Sequence, residues 1–414
     1  MALQNIRKLG EVCEFVRGPF GGSLKKSCFK ESGYAVYEQQ HAIYDQFDDI
    51  RYFIDQKKFE EMKRFELKSG DLIMSCSGTM GKVAIVPDGL KKGIINQALL
   101  KLTPKPELNV EYLRYWMHSP SFQEGLEKHT VGAAIKNVAS VKILKTIELP
   151  IPKLSEQIEI VNLLKEAFAE IDKVKANIEK NIQNVQELFQ SKLNEIFTQG
   201  EKGWEKKKII DLCHDKSQIV GGPFGSNLKV KDYKESGIPI LRLQNIGKGF
   251  FIDKSIKYVS EEKANELKYH SFKSGDIVLA KLGLPIGKTC IVPEKFKYGI
   301  VVADVVRLRP NKEMINYNFL KHFLNSDNSV SQLTSKIRGA TRPRVNIKEV
   351  RNLKLSVPSL DKQIEICKKI DTLEIHRNNL ISRYENKLQS LYELKDSILL
   401  KAFRGELTNK ELTV

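Results

Sequence analysis

The sequence predicts an α+β protein with two similar globular units of mixed α/β structure, joined by two long helices that form an antiparallel coiled coil. Three observations support this prediction. The chain repeats itself once, each half ends in a long segment without glycine or proline, and the rest of each half alternates short apolar runs with turn residues. The 414 residues suffice for two or three domains, and a hydrophobic content of 41% excludes global disorder.

The tandem repeat is visible in six short motifs that recur in the same order. The first, GPFGGSLK at 18–25, returns as GPFGSNLK at 222–229. The other pairs are KESG at 30–33 and 234–237, KSGD at 68–71 and 273–276, GK with IVP at 81–87 and 287–293, GA at 132–133 and 339–340, and QIEI at 157–160 and 363–366. Since the offset stays between 204 and 207, each half is one structural unit.

Short apolar runs bounded by turn residues predict strands in the first part of each half. In the first half they cover 71–74, 83–86 and 94–102, and in the second 276–280, 290–292 and 299–308. Residues 110–117 and 317–324 predict short helices. This mixture indicates a compact α+β unit in each half.

Residues 155–197 and 361–403 are each 43 residues long without glycine or proline. Their apolar residues recur at alternating spacings of three and four, which requires a helical partner. The predicted seam consists of Val161, Leu164, Phe168, Ile171, Ile178, Ile182, Val185, Phe189 and Ile196 in the first segment, and Ile370, Leu373, Leu380, Tyr384, Leu391, Leu394 and Ile398 in the second. Ser155 and Asp361 are the expected N-caps, and Gly200 and Gly405 follow the expected ends.

The order of the segments fixes how the two helices would pair. The first leads into the second globular unit and the second leaves it, so a mutual pair must be antiparallel. The alternative is that each helix packs on its own unit. A helix of roughly 65 Å is too long for a unit about 30–40 Å across to cover its whole apolar stripe. The predicted domains are 1–152 and 201–358, with the first helix at 153–200 and the second helix and tail at 359–414.

The positive charge lies outside the predicted helices. The chain carries 68 basic and 51 acidic residues, a net charge of +17. The two helical segments carry 13 basic and 15 acidic residues, which leaves 55 and 36 for the remainder, an excess of +19. This distribution indicates globular units that contact a polyanion such as nucleic acid, although a basic surface can also be merely solvated.

Motifs for catalysis, metal or cofactor binding are absent from the sequence. Six cysteines without a CxxC pair and seven scattered histidines give no zinc site, no disulfide framework and no HExxH motif. The segment GLPIGKT at 283–289 is similar to a phosphate-binding loop, but three residues rather than four separate its glycines. The Asn/Asp-Pro-Pro-aromatic motif of adenine methyltransferases is also missing. We therefore predict no catalytic residue, no metal and no cofactor, and, without an apolar run of about 18 residues or a signal peptide, a cytoplasmic protein.

Two similar basic units, each followed by a long helix, resemble the specificity subunit of Type I restriction–modification systems. The duplicated GPFG loops, KSGD strand entries and QIEI helix starts carry the resemblance over the whole chain. It implies two target recognition domains that each read one half of an asymmetric bipartite DNA site. It also implies a coiled coil that sets the half-site spacing, and no catalysis by the subunit itself. The implied partners are double-stranded DNA, two modification subunits that methylate adenine, and restriction subunits in the full complex.

Aligning the two halves suggests which residues contact DNA, since shared residues should position the duplex and differing polar residues should read bases. Three groups of candidate base readers differ between the halves: Glu38, Gln40 and His41 against Arg242, Gln244 and Asn245; Ser75, Ser77 and Thr79 near Ala280, Lys281 and Leu284; and Lys136 and Asn137 near Arg342 and Arg344. Candidate phosphate contacts are the cluster Arg338, Arg342 and Arg344 and the loop-flanking Lys25, Lys26, Lys30, Lys229, Lys231 and Lys234. Solvated turn residues and surface charge are the alternative for each group.

Two other functions remain open at the level of sequence. The first is a stand-alone DNA methyltransferase or nuclease with an unrecognised active site, against which the missing motifs count. The second is a DNA-binding regulator that needs no enzymatic partner. Adjacent genes for a methyltransferase and a helicase-nuclease would favour the specificity subunit over both.

Overall fold

The computed structural model describes residues 5–20, 22–128, 140–198, 204–337 and 343–407. The chain forms two compact units. The first contains Met1–Ile178 and Glu385–Val414, and the second contains Glu179–Tyr384. Each unit therefore holds one globular part and a portion of both long helices.

The first unit is an α+β fold with three sheets. Its strands are β1 (Ile6–Lys8), β2 (Cys13–Arg17), β3 (Tyr34–Tyr37), β4 (Phe53–Ile54), β5 (Leu72–Ser75), β6 (Val83–Ile85), β7 (Gly93–Ile95), β8 (Leu99–Pro104) and β9 (Glu148–Pro150). Its short helices are α1 (Leu9–Val12), α2 (Gln39–Tyr44), α3 (Gln56–Glu61), α4 (Val110–His118), α5 (Pro120–Lys128) and α6 (Val141–Leu144). The long helix α7 (Leu154–Thr198) follows. The sheets have the strand orders β1-β9, β2-β8-β5-β6 and β4-β3-β7.

The second unit repeats this arrangement. Its strands are β10 (Glu205–Lys208), β11 (Ile219–Gly221), β12 (Ile238–Leu241), β13 (Lys257–Val259), β14 (Ser271–Lys273), β15 (Ile277–Ala280), β16 (Thr289–Ile291), β17 (Tyr298–Val301), β18 (Val305–Leu308) and β19 (Lys354–Val357). Its helices are α8 (Glu261–Glu266), α9 (Tyr317–Leu324), α10 (Asp327–Thr334), α11 (Ile347–Arg351) and the long α12 (Leu360–Phe403). The sheets have the orders β10-β19, β11-β18-β15-β16 and β13-β12-β17-β14.

The matching sheets confirm the predicted fold class and correct two strand predictions. The central β3 pairs in parallel with β7, and β12 with β17, in equivalent registers. The runs predicted as single strands at 94–102 and 299–308 are each two strands in different sheets. A turn divides each run, closed by the bonds from the Leu99 amide to the Asn96 carbonyl and from the Val305 amide to the Val302 carbonyl.

Each KSGD motif is a turn that leads into a central strand. The Asp71 carboxylate accepts a hydrogen bond from the Lys68 amide at 2.9 Å, and Asp276 accepts one from the Lys273 amide at 2.7 Å. Both aspartates are buried. The carboxylate of Asp276 also binds the Arg309 guanidinium through two bonds of 2.7 Å, which compensates its buried charge.

The long helices begin one residue earlier than predicted. Helix α7 starts at Leu154 and α12 at Leu360, so Ser155 and Asp361 lie inside the first turn rather than at the N-cap. Gly405 has φ +75° and ends α12 in the left-handed conformation, as predicted. Gly200 lies outside the described residues.

Within the first unit, α7 and α12 pack against each other and against the globular part. Lys395 Nζ lies 3.2 Å from Asp172 Oδ1 and 4.6 Å from the ring centre of Phe168, while Lys175 Nζ lies 5.6 Å from the ring of Tyr392. Residue numbers rise along α7 as they fall along α12, so the antiparallel pairing is confirmed.

The hydrophobic core of the first globular part also contains residues from the beginning of α7 and the end of α12. Leu164 and Phe168 of α7, with Leu399 and Phe403 of α12, are buried with the apolar residues of the first globular part. Packing between helices and packing on the globular part therefore occur together. Of the predicted seam residues, Leu380 and Leu394 are exposed instead.

One glutamine fixes the start of each long helix to its globular part. Gln157 and Gln363 are fully buried. The Gln157 Oε1 atom accepts from the Asn109 amide at 2.8 Å, and Nε2 donates to the carbonyls of Glu107 and Pro152. Gln363 makes the equivalent three bonds in the second unit. The QIEI motif thus marks a repeated helix-docking contact.

Candidate nucleic-acid interface

The first candidate reader segment of each half follows a strand that has a parallel partner. This strand is β3 in the first half and β12 in the second. Residues 38–41 are the N-cap and the first residues of α2. Residues 242–245 are the N-cap and the whole of a 3₁₀ helix, Leu243–Asn245. His41 Nδ1 accepts from the Glu38 amide at 2.9 Å, and Asn245 Oδ1 accepts from the Arg242 amide at 3.0 Å. The two segments are therefore the same turn, capped by different side chains.

This capping role corrects the prediction that His41 and Asn245 read bases. Both side chains are fully buried. His41 Nε2 lies 3.1 Å from the Asp49 carbonyl, and Asn245 Nδ2 donates to the carbonyls of Ile252 and Lys254. Their polar atoms are bound within the protein and face away from solvent, so both residues are structural.

Glu38 and Arg242 occupy equivalent positions with opposite charge. The Glu38 carboxylate accepts from Arg51 Nε at 3.0 Å, and the Arg242 guanidinium donates to the Ser255 carbonyl. In both cases the partner lies 13 residues further along the chain. The guanidinium carbon of Arg242 is also 6.0 Å from the ring centre of Tyr233. Each charged group is thus held in place beside the capped turn.

In the second unit this position borders a cleft of about 410 Å³. Its lining includes Arg242, Gln244 and Asp304, together with Pro223 and Gly225 of the second GPFG loop. Gln244 is exposed. The matching Gln40 is half-buried, and its Nε2 donates to the Asp49 carbonyl at 3.1 Å. The cleft is thus lined by a guanidinium, an amide and a carboxylate, next to the second GPFG loop.

Arg344 and Lys281 lie beside the same carboxylate. Arg344 Nη2 is 3.0 Å from Asp304 Oδ1, and the Lys281 amide donates to the Asp304 carbonyl at 2.9 Å. Burial lowers the pKa of Lys281, and the Arg344 charge lowers it further, while Asp304 opposes them. The chain therefore places two cations and one anion together at this edge.

In the first unit, the three candidate readers that align near Lys281 differ in exposure. Ser75 is fully buried, and its Oγ accepts from the Lys82 amide at 3.1 Å, so its predicted role as a base reader is corrected to a structural one. Ser77 is half-buried and Thr79 is exposed. Lys136, Asn137, Arg338 and Arg342 lie outside the described residues, as do the GA motifs at 132–133 and 339–340.

The first glycine of each GPFG loop is required for close packing of the chain on itself. A Cβ at Gly18 would lie 1.8 Å from the Asn96 carbonyl oxygen, and one at Gly222 would lie 2.1 Å from Val302. Six lysines flanking the loops are exposed: Lys25, Lys26, Lys30, Lys229, Lys231 and Lys234. These glycines build the turn, whereas the lysine side chains extend into solvent, with Lys30 Nζ 3.9 Å from Asp55 Oδ2.

Some contacts of this site were not predicted. Arg51 and Asp304 hold Glu38 and Arg344, and neither belongs to a repeated motif. Gln157 and Gln363 belong to the repeated QIEI motif, and a polar residue repeated within an apolar pattern is a signal for a buried structural contact. A pairing partner such as Arg51 can be identified only once the fold is known.

The described part of the chain shows neither a metal-binding cluster nor a membrane-spanning helix. There, no three His, Cys, Asp or Glu side chains come together in a way that would suit a metal ion. In the same residues, none of the helices combines the length and apolarity needed to span a membrane. Burial raises the pKa of the Cys13, Cys76 and Cys290 thiols to about 12, so they are poor nucleophiles.

Comparison with known proteins agrees with the repeated architecture. A family model described as the Type I restriction modification DNA specificity domain matches twice, over residues 4–184 and 201–390. The specificity subunit of the Type I restriction enzyme MjaVIII from Methanocaldococcus jannaschii is 25% identical over 334 residues, 78% of this chain and 76% of that protein. The EcoBI specificity subunit from Escherichia coli is 26% identical over 335 residues, 76% and 69% of the two chains.

Solved structures share the fold. A chain from a study of complex assembly and conformational transition of the type I R-M system has a TM-score of 0.70 at 18% identity, covering 97% of this chain and 98% of its own length. The HsdS subunit from Thermoanaerobacter tengcongensis has a TM-score of 0.53 at 18% identity, covering 97% of both chains. The two-unit fold is therefore shared well beyond recognisable sequence identity.

Proposed function

The chain belongs to the Type I restriction modification DNA specificity family, and we propose from that premise that its two units read the two halves of one asymmetric DNA site. The observation that carries the proposal is the duplicated specificity domain, whose halves keep one fold but differ in the polar residues at the same capped turn. Glu38 in one half is replaced by Arg242 in the other. Two different half-sites follow, because identical halves would read a palindrome.

Residues 1–152 and 201–358 are the proposed target recognition domains. The basic excess outside the helices favours phosphate contacts by the exposed lysines and by Arg344. Glu38 suits a cytosine amino group, Arg242 suits guanine, and Gln40 and Gln244 suit adenine. Ser77, Thr79 and Lys281 are further proposed contacts.

The long helices would set the separation of the half-sites and bind the modification subunits. Such spacers place two readers on one face of the duplex about one helical turn apart. The proposed assembly has two modification subunits, with restriction subunits in the full complex, in the cytoplasm. Catalysis then belongs to the partners, which supply the methyl-transfer cofactor.

Co-expression with the cognate modification subunit, followed by methylation mapping of host DNA, tests this function. Adenine methylation at a single bipartite, asymmetric motif is the expected result. A chain lacking residues 201–358 is the control, since it should abolish methylation at that motif. Failure to form a complex, or methylation without such a motif, would contradict the proposal.

The proposed spacer role has a separate test. One helical turn, about four residues, is removed from both α7 and α12 at paired positions. The methylated motif should then change its spacer length or be lost. An unchanged motif would show that the helices do not set the spacing.

A further inference from the structure

The two GPFG loops each expose a phenylalanine. Phe20 is 83% exposed and Phe224 is 85% exposed. A single apolar side chain on a protein surface is ordinary. Two at equivalent positions of divergent halves indicate a shared function, and in the second half the loop lines the cleft together with Arg242 and Gln244.

Backbone hydrogen bonds and buried residues flank each exposed phenylalanine. In the second unit, the Gly222 amide donates to the Val305 carbonyl at 3.1 Å, and Pro223 is buried. The Asn227 amide then donates to the Phe224 carbonyl at 2.8 Å, which closes a turn, and Leu228 is buried after it. The backbone on both sides of Phe224 is therefore fixed while its ring is in solvent.

The first unit has the same contacts around Phe20. The Gly18 amide donates to the Leu99 carbonyl at 2.9 Å, and Pro19 is buried. The Ser23 amide donates to the Phe20 carbonyl at 3.0 Å, and Leu24 is buried. The backbone that carries each ring is thus held by hydrogen bonds and buried neighbours, which limits the backbone entropy lost when the ring inserts into a partner.

The surroundings of the rings fit a nucleic acid. Lys229 and Lys231 are exposed beside Phe224, and Lys25 and Lys26 beside Phe20. A Cβ at Gly225 or Gly22 would meet no atom within 4 Å, so the backbone of each turn is open to close approach. Aromatic rings among cations bind base stacks, where the ring contacts bases and the cations contact phosphates.

We propose that Phe20 and Phe224 are intercalating residues, each of which inserts its ring at a base step of one half-site and partly unstacks it. This inference rests on the proposed function. Because the same ring type serves both halves, it supplies no sequence discrimination of its own. It opens the stack next to the reader positions, and a flexible pyrimidine–purine step is the expected point of insertion.

The test uses the full chain in complex with its modification subunits and the duplex defined by methylation mapping. The variants are Phe20→Ala, Phe224→Ala, their double variant and Phe224→Trp. Phe250→Ala is the matched control, since Phe250 is also exposed, at 61%, but lies outside both GPFG loops. Copurification with the modification subunits is measured for every variant.

The primary measurements are Kd and the fluorescence of 2-aminopurine placed at successive steps of each half-site. Wild type should brighten the probe at one step per half-site. Each alanine variant should abolish the signal in one half-site and weaken binding about tenfold. Phe224→Trp should retain both signals, and Phe250→Ala should match wild type.

Two further measurements separate insertion from other roles. A duplex with an abasic gap at the responsive step needs no unstacking, so the alanine variants should lose less affinity on it than on the intact duplex. The salt dependence of Kd should be unchanged by Phe224→Ala but reduced by Lys231→Ala, because only the lysine contacts a phosphate.

Several results would overturn the proposal. Unchanged fluorescence and affinity in the double variant would exclude insertion, as would equal losses on the intact and abasic duplexes. Loss of the modification subunit from the alanine variants would assign the rings to a protein interface instead. If the wild-type complex itself fails to prefer its target, the proposed function fails together with the insertion.

Discussion

Replacing Gln363 by leucine should detach the start of α12 from the second globular part. The buried Gln363 accepts from the Asn316 amide at 2.7 Å and donates to the carbonyls of Met314 at 3.2 Å and Pro358 at 2.9 Å. Leucine has a similar volume but makes none of these bonds. The three backbone groups are then left without their partner.

The size of the effect follows from those bonds. A net contribution of about 1 kcal/mol per hydrogen bond, with a further penalty for each group left unsatisfied, gives about 3–5 kcal/mol. The added apolar surface of leucine offsets about 1 kcal/mol. A net loss of about 3 kcal/mol corresponds to roughly a hundredfold change in the equilibrium for local opening.

Hydrogen exchange of the full-length protein, followed by mass spectrometry, resolves this change locally. In Gln363→Leu the peptide containing the Asn316 amide should exchange roughly a hundredfold faster, while the peptide containing Asn109 should not change. Gln157→Leu should give the reverse pattern. Gln389→Leu is the control on the same helix, since Gln389 is exposed and its Nε2 bonds only Glu393.

The reasoning would be refuted if the Asn316 peptide kept its protection in a folded Gln363→Leu protein. Faster exchange to the same degree in both units would also refute it, because the loss would then be global. The first result would mean that apolar packing of Ile366 and Ile370 alone fixes the start of α12, and the second that Gln363 supports the whole fold rather than this one contact.

Three more predictions concern the second unit. Arg242→Ala should cost about 1–3 kcal/mol of discrimination at one base pair in competition binding, and equal weakening on all sequences would show a backbone contact instead. Gly222→Ala should destabilise by about 2 kcal/mol or more in urea unfolding because its Cβ would overlap Val302, whereas Gly225→Ala, in open space, should be near neutral and would otherwise contradict the packing argument. Burial lowers the pKa of His322 to about 3, below an unfolded value near 6.5, and the neighbouring Asp371 carboxylate is too exposed to offset this. Between pH 6.5 and 4.5 the unfolded chain binds a proton that the folded chain does not, so the unfolding free energy should fall by about 2 kcal/mol over this range, and His322→Gln should remove that slope.

The large architecture could be predicted because its signals extend over many residues. Forty-three residues without glycine or proline, with apolar spacings of three and four, leave a long paired helix as the consistent structure. The division of the runs at 94–102 and 299–308 could not be predicted. Their turns use Asn96 and Val302 rather than glycine or proline, so the apolar pattern continues across a change of sheet.

The candidate readers show a different limit. Comparing the halves finds positions where polar residues differ, but a difference arises equally when two side chains perform one structural task. His41 and Asn245 are such a case, because an imidazole nitrogen and an amide oxygen both cap the preceding turn. Their burial distinguishes these positions from base readers, and which residues are buried is known only from the folded structure.

Adding exposure to the comparison of halves sorts the positions by function. Residues that differ but are buried, such as His41 and Asn245, maintain the turn. Residues that differ and line a solvent-facing cleft, such as Arg242, can distinguish one base pair from another. Residues that are identical and mostly exposed, such as Phe224, add little packing to the folded chain, and the proposed insertion gives them a contact that both half-sites share. The GPFG loop thus combines a glycine that the packing requires with a ring that the packing does not require, and it is this ring that we propose for contact with DNA.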